Sequence, residues 1–205
     1  RGLAGEGILP TFKHFPGHGD TAEDSHTGLA YSYRTVEELT ACELLPFEAA
    51  AEVGPRAVMV GHIVVPELTG DLPATLCADA IALVPDAENT LIVTDSLAMG
   101  AITDSYTPGE AAVQALQAGC DVLLMPDGLA DAYDAVLAAV QNGTLSEDRL
   151  DLSFDIVLPP KLWGQEDSIR ASLEQALDKL EGKPYHLDVT FDLGDVCQDA
   201  SSINA

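Results

Sequence analysis

Thr90-Leu91-Ile92-Val93-Thr94-Asp95-Ser96-Leu97 is the stretch whose reading decides the fold. Its apolar residues are adjacent and do not alternate with polar ones. A strand with one face in water alternates, whereas a strand covered by helices on both faces reads as a continuous Val/Ile/Leu run, the pattern of parallel sheets. Three other runs share this character: Ile8 to Phe15, Arg56 to Ile63 (Arg-Ala-Val-Met-Val-Gly-His-Ile) and Cys120 to Met125.

Helical patterns separate the runs. Thr35 followed by Glu38 forms a capping-box pattern at the head of a helix over Thr35 to Val53, with Leu39, Cys42, Leu45 and Ala49 as its apolar face. A short helix is expected over Ala78 to Val84. Thr107 as N-cap and Pro108 at the first position start a helix that stops at Gly119. Leu129 to Gln141 is Ala-rich and ends at Asn142-Gly143, and Ser146 to Leu150 starts one more turn. Strand and helix thus alternate four times, which predicts βα units with right-handed crossovers. Each strand also ends in polar residues: Lys13 and His14, His62, Asp95, and Asp127 just past the fourth. Functional groups at the C-terminal ends of successive parallel strands are the pattern of a (β/α)₈ barrel, which usually takes about 250 residues. The fold class expected is therefore α/β of the (β/α)₈ TIM-barrel type, with about four βα units, half of such a barrel. Residues 1–152 form this partial catalytic domain. Residues 153–205 are a divergent segment: a double proline at Pro159-Pro160, an amphipathic helix over Asp167 to Leu180, an alternating exposed strand over His186 to Leu193, and a polar tail expected to be disordered.

Composition limits the partners. Acidic residues number 34 against 9 basic ones, a formal charge of −25. Unpaired buried carboxylates are costly, so most of this charge lies on the surface, where it repels nucleic acid and anionic membranes. The acids are spread along the chain, which favours a solvated shell suited to high salt over a docking tail for a cationic partner. No apolar run reaches the roughly 20 residues of a membrane span. Cys42, Cys77, Cys120 and Cys197 have no CxxC or zinc spacing, so free thiols are expected, Cys120 buried, and a reducing compartment is favoured. No leader or initiator methionine stands at Arg1. The natural N-terminus is therefore read as missing and the localisation as open, the cytoplasm favoured over secretion.

The chemistry concentrates in Phe12-Lys13-His14-Phe15-Pro16-Gly17-His18-Gly19-Asp20-Thr21-Ala22-Glu23-Asp24-Ser25-His26. This is a polar loop leaving a buried strand, where α/β enzymes keep functional groups. Three histidines beside three acids suggest a metal site, but Pro16 and Gly17 exclude the helix that would put His14 and His18 on one face. His18 and Asp20 also read as loop scaffold through backbone hydrogen bonds. Asp24 near His26 can orient an imidazole and raise its basicity, the pairing of a proton shuttle. Asp95 has two readings: a helix N-cap before Ser96-Leu97-Ala98-Met99, or a nucleophile facing an acid/base, as a retaining glycosidase requires.

The segment Lys13-His-Phe-Pro-Gly-His-Gly-Asp-Thr-x-x-Asp-Ser-His resembles the signature of glycoside hydrolase family 3 β-N-acetylglucosaminidases of the NagZ type. Ala57 to Ile63, Leu72-Pro-Ala-Thr-Leu, Ile92 to Gly100 and Ala118 to Pro126 agree, so the resemblance covers residues 5–152. It implies a (β/α)₈ barrel, with Asp95 as the nucleophile and Asp24 with His26 as an acid/base dyad. Lys13 and His14 are implied to bind sugar hydroxyls, His62 and Met99 to be further substrate contacts, and His18 and Asp20 to remain loop scaffold. The implied reaction is release of terminal non-reducing β-N-acetylglucosamine, typically from peptidoglycan fragments, with no cofactor and no metal. The partner is then a GlcNAc-containing carbohydrate, and the open sheet edges predict self-association. The chain departs from the family in lacking its first four βα units and in carrying Phe154-Asp-Ile-Val-Leu-Pro-Pro where a basic final helix is expected. Two alternatives stay open: a metal-dependent hydrolase on the same scaffold, and a sugar-binding half-barrel without catalysis.

Overall fold

A computed structural model describes residues 2–5, 8–19, 21, 28–52, 56–146, 149, 154–157 and 189–192. The chain separates into two compact units, residues 1–145 and 146–205.

In the first unit, β1 (Thr11–Phe15), β3 (Ala57–Val60) and β5 (Leu91–Thr94) form a parallel sheet in the order β1-β3-β5. Each strand lies beside the next of the same sheet in sequence, the arrangement of a barrel wall. The fourth apolar run is placed as expected, alongside β5, but forms only one parallel bridge, Val93 to Val122. Its ladder is partly carried by a side chain: the Leu124 amide donates to Thr94 Oγ1 at 2.8 Å, while Thr94 N donates to Val122 O at 3.0 Å. A second parallel pair, β2 (Ala30–Tyr31) with β4 (Ile63–Val64), forms a separate two-stranded sheet, β4 following β3 closely in sequence. Two-residue strands have too little sequence for a periodic signal.

Helices make up much of the rest of the described residues. These are α1 (Gly2–Gly5), α2 (Val36–Ala41), α3 (Leu45–Ala51), α4 (Pro66–Thr69), α5 (Ala78–Ile81), α6 (Gly100–Thr103), α7 (Pro108–Ala118) and α8 (Leu129–Gln141). The helices α7 and α8 have the expected bounds, and both α2 and α7 carry the full capping box, Thr35 with Glu38 and Thr107 with Glu110. The single helix expected over Thr35 to Val53 is a correction: it breaks at Cys42 to Leu44 and restarts as α3, with Pro46 in its first turn. A proline inside a helix removes a bond and clashes with the carbonyl four residues back, so it is tolerated only at a helix start. The break rotates the buried face. Leu39, Leu44, Phe47 and Ala50 are buried, whereas Cys42, Leu45 and Ala49 are exposed.

The core lies between sheet and helices. Phe15, at the end of β1, packs edge-on against Phe47 of α3 with ring centroids 5.1 Å apart. Val58, Val60, Ile92, Ile102 and Ala115 fill the centre, and Cys120 is fully buried, its Sγ 3.6 Å from the Thr75 carbonyl. At the opposite edge from the polar strand ends, buried Arg56 is held by Asp86 Oδ2 at 2.6 Å and by the Ala51 carbonyl at 3.2 Å. The Asn89 amide, then the Arg56 guanidinium, hold the Asp86 carboxyl below its usual value. A polar residue buried at the head of β3 is thereby satisfied.

In the second unit, β6 (Phe154–Val157) pairs in parallel with β7 (Val189–Asp192), Phe154 opposite Val189. The expected strand over His186 to Leu193 contains β7. The expected helix over Asp167 to Leu180 and the tail lie outside the described residues.

Candidate functional site

The polar residues gather at the C-terminal ends of the strands. The register of β1 against β3 shifts between Lys13 and Phe15, which makes His14 the extra residue of a bulge. Bulges re-aim side chains. The peptide bonds Lys13–His14 and Phe15–Pro16 are both cis. His14 Nε2 lies 3.6 Å from Asp95 Oδ2, and the two side chains keep 28% and 15% of their surface open to solvent. That separation is too long for a hydrogen bond but within ion-pair range.

Asp95 is fixed from its backbone outward. Its amide donates to Val60 O at 2.9 Å, continuing the β3–β5 ladder by one residue. Its Oδ1 accepts the Ser96 amide at 2.8 Å, which leaves Oδ2 turned to His14. The N-cap reading does not hold, because the next helix, α6, begins at Gly100 and its N-cap is Met99.

His62 sits beneath this pair. It has no exposed surface; its Nδ1 is 2.9 Å from Thr75 Oγ1 and its Nε2 is 2.9 Å from the Ser96 carbonyl. Burial holds its pKa below the ordinary imidazole value, opposed by the Ser96 bond and the Asp95 charge and assisted by His14. Thr75, also fully buried, lies 2.9 Å from the Gly61 carbonyl and 3.2 Å from that of Val60. Met99 is buried as well. Of the residues expected to touch substrate, Lys13 and His14 are open to solvent, whereas His62 and Met99 form the floor.

The start of the loop is also held. His18 meets His14 edge-on, with ring centroids 6.0 Å apart, and its Nδ1 is 2.5 Å from Thr21 Oγ1. Gly17 has φ 136°, and a Cβ there would lie 2.6 Å from Cβ and Cγ of Glu43, so only glycine fits. Glu43 is paired with Arg34 at 3.4 Å, and its Oε2 is buried without a hydrogen-bond partner among the described residues. Asp20, Asp24 and His26 lie outside the described residues. Among the described residues no group of three or more His, Cys, Asp or Glu is arranged to hold a metal ion. A cleft of ≈ 240 Å³ opens elsewhere, between Leu97, Ile102, Tyr106 and Asp127; of the strand-end polar residues read from the sequence, Asp127 lines it, whereas Lys13, His14, His62 and Asp95 do not.

Sequence reading did not pick out Thr75, Gly61, Thr94 or Glu43. Thr75 and Thr94 did carry a signal, a hydroxyl inside an apolar run, where a buried polar group must find partners.

A sequentially ordered parallel βα wall, with an imidazole and a carboxylate meeting at its C-terminal edge, defines a domain of the (β/α)₈-barrel class. The model of the "Glycosyl hydrolase family 3 N terminal domain" matches residues 1–159. The chain belongs to glycosyl hydrolase family 3. Beta-hexosaminidase LpqI of Mycobacterium tuberculosis is 37% identical over 132 residues, covering 60% of this chain and 34% of that protein. The solved structure of a glycoside hydrolase family 3 beta-N-acetylglucosaminidase from Paenibacillus sp. str. FPU-7 superposes with a TM-score of 0.69 at 37% identity, over 95% of this chain and 35% of that one. A family 3 member from Mycobacterium smegmatis str. MC2 155 gives 0.68 at 37% identity, over 74% and 48%. The chain spans about a third to a half of the length of the relatives it matches.

Proposed function

We propose that this chain carries the nucleophile side of a retaining exo-β-N-acetylhexosaminidase acting on terminal β-linked N-acetylglucosamine, with residues 1–152 as the catalytic portion and residues 153–205 as an appended segment. The observation that carries the proposal is the Asp95 carboxylate at the end of β5, its Oδ2 directed at His14 and its side chain partly open to solvent, in a family whose relatives include beta-hexosaminidases. A nucleophilic carboxylate needs one oxygen held and the other accessible, and Oδ1 held by the Ser96 amide meets the first need.

Asp95 attacks C1 while His26, oriented by Asp24, gives its proton to the glycosidic oxygen, and the aglycone leaves as an alcohol. His26 then takes a proton from water, the resulting oxygen attacks C1, and the Asp95 ester bond breaks to release the sugar and restore the carboxylate. Lys13 and His14 donate hydrogen bonds to sugar hydroxyls. An imidazole suits the acid role here because it delivers a proton without leaving a second anion beside Asp95. No cofactor enters these steps. Among the described residues no helix is long and apolar enough to cross a membrane, and the acidic surface disfavours nucleic acid. The open edges of the sheet favour self-association, readable by sizing.

The test has two arms. Asp95→Ala abolishes covalent trapping by a fluorosugar label; surviving label on the protein refutes the nucleophile role. His26→Ala loses far more activity on glycosides with poor leaving groups than on activated aryl glycosides; equal losses refute the acid role.

A further inference from the structure

We propose that His62 is a positioning residue for Asp95, holding the turn that carries this carboxylate through a hydrogen bond from its Nε2–H to the Ser96 carbonyl. The inference rests on reading Asp95 as the nucleophile. A carbonyl oxygen only accepts, so Nε2 carries the proton whenever the 2.9 Å contact is a bond. In the neutral ring Nδ1 is then an acceptor, and the Thr75 hydroxyl at 2.9 Å is placed to donate to it. A continuous path results: Thr75 hydroxyl to His62, His62 to the Ser96 carbonyl, Ser96 amide to Asp95 Oδ1 at 2.8 Å. The Ser96 carbonyl also accepts the Met99 amide at 3.1 Å. One oxygen thereby ties the turn to α6 and, through a residue 34 positions earlier, to the end of β3.

Energetics favour a purpose for this arrangement. An apolar side chain would fill the space without the desolvation that burying an imidazole entails. The Thr75 hydroxyl has one proton and three acceptors within 3.2 Å, namely His62 Nδ1, Gly61 O and Val60 O. The Val60 carbonyl also receives the Asp95 amide, and a carbonyl oxygen can accept twice, so all three acceptors compete for the one Thr75 proton. The Ser96 carbonyl, which can only accept, is what fixes the ring's tautomer.

Two substitutions separate the tether from mere packing. In His62→Gln the amide nitrogen falls near the position of Nε2 and can still donate to Ser96. In His62→Asn it falls near Nδ1, reaching Thr75 but not Ser96. On p-nitrophenyl N-acetyl-β-glucosaminide, H62N is expected to lose roughly 10²-fold in kcat with KM little changed, the penalty typical of a reacting group displaced by about 1 Å, while H62Q stays within about tenfold of the parent. In the ligand-free chain, amide exchange at Leu97 and Met99 rises in H62N and stays near parental in H62Q. Equal effects of the two variants on both readouts overturn the proposal, as does a ring ¹⁵N spectrum of the parent showing the proton on Nδ1. If the parent cleaves no glycoside, the nucleophile reading fails, and the exchange and tautomer measurements still decide the tether. If H62N does not fold, the tautomer of the parent decides it alone.

Discussion

Gly109, in the first turn of α7, faces Ala135 of α8 so closely that a Cβ at position 109 would lie 2.6 Å from the Ala135 Cβ and 3.4 Å from the Asp131 carbonyl. Carbon atoms in ordinary contact sit about 3.5–4.0 Å apart, so Gly109→Ala requires the two helices to part by about 1 Å. Neither atom of the clash belongs to a flexible side chain that could swing away. Overpacking of this kind costs about 1–3 kcal/mol. Against it stands the helix preference of alanine over glycine, at most about 1 kcal/mol and less in a first turn. The net expectation is a loss of about 1–2 kcal/mol, a fall in Tm of about 2–8 °C for a unit of this size. Urea unfolding of G109A, A135G and the double variant measures it. Ala135→Gly alone costs about 1 kcal/mol in helix propensity, but it removes the atom that G109A strikes. The double variant should therefore be more stable than the sum of the singles by 1 kcal/mol or more. Additivity within about 0.5 kcal/mol refutes the close-packing argument, and so does a stabilised G109A.

Two further outcomes follow from the site. Burial lowers the His62 pKa below the ordinary value of 6.5, so below about pH 6.5 the unfolded chain binds a proton that the folded chain refuses. Its contribution to stability is complete above that pH and is lost as pH falls toward the folded value. Tm measured from pH 7.5 to 5 should therefore drop more steeply in the parent than in H62Q, and parallel curves would show that the ring is not held neutral; the neighbouring charges, Asp95 and His14, are common to both. Gly61→Ala brings a Cβ to 3.2 Å from the His14 Cβ and 3.3 Å from Ile63 Cδ1. Activity on the aryl glycoside should fall about 10-fold or more as His14 is pushed from Asp95, and unchanged kcat/KM would show that His14 tolerates the shift.

The wall of the fold was legible because strands buried on both faces announce themselves as unbroken apolar runs, and Ala57 to Val60 and Leu91 to Thr94 lie inside the runs read from the sequence. Helix ends were legible where the caps are local: Thr107 and Pro108 start α7, and Gly119 ends it. The break before α3 was legible too, in Pro46, but the heptad-like spacing of Leu39, Cys42, Leu45 and Ala49 outweighed it, and the buried face came out rotated. The site divides the same way. Asp95 could be picked out as a strand-end carboxylate, yet cap and nucleophile share one sequence signature, and only the start of α6 at Gly100 separates them. Partnerships such as His62 with Thr75 and Ser96 span 13 and 34 residues. No local pattern encodes them, because the first is set by where the turn at Ala74–Leu76 packs and the second by the register of β3 against β5.

That register also explains how two functional groups on non-adjacent strands come to meet. β1 and β5 flank β3, so at about 4.8 Å per strand their backbones are roughly 10 Å apart, while His14 and Asp95 approach to 3.6 Å. Both side chains must lean across the end of the middle strand, and β3 has to end in something that stays out of their way. It ends in Gly61, which offers no side chain, and His62, whose ring turns down into the core. The bulge at His14 aims one group inward, the extra rung from the Asp95 amide to Val60 O fixes the other, and the Gly61-His62 pair opens the space between them. The middle strand thus contributes by absence at the surface and by a buried hydrogen bond beneath it. Residues that never face the substrate can in this way set the distance between those that do.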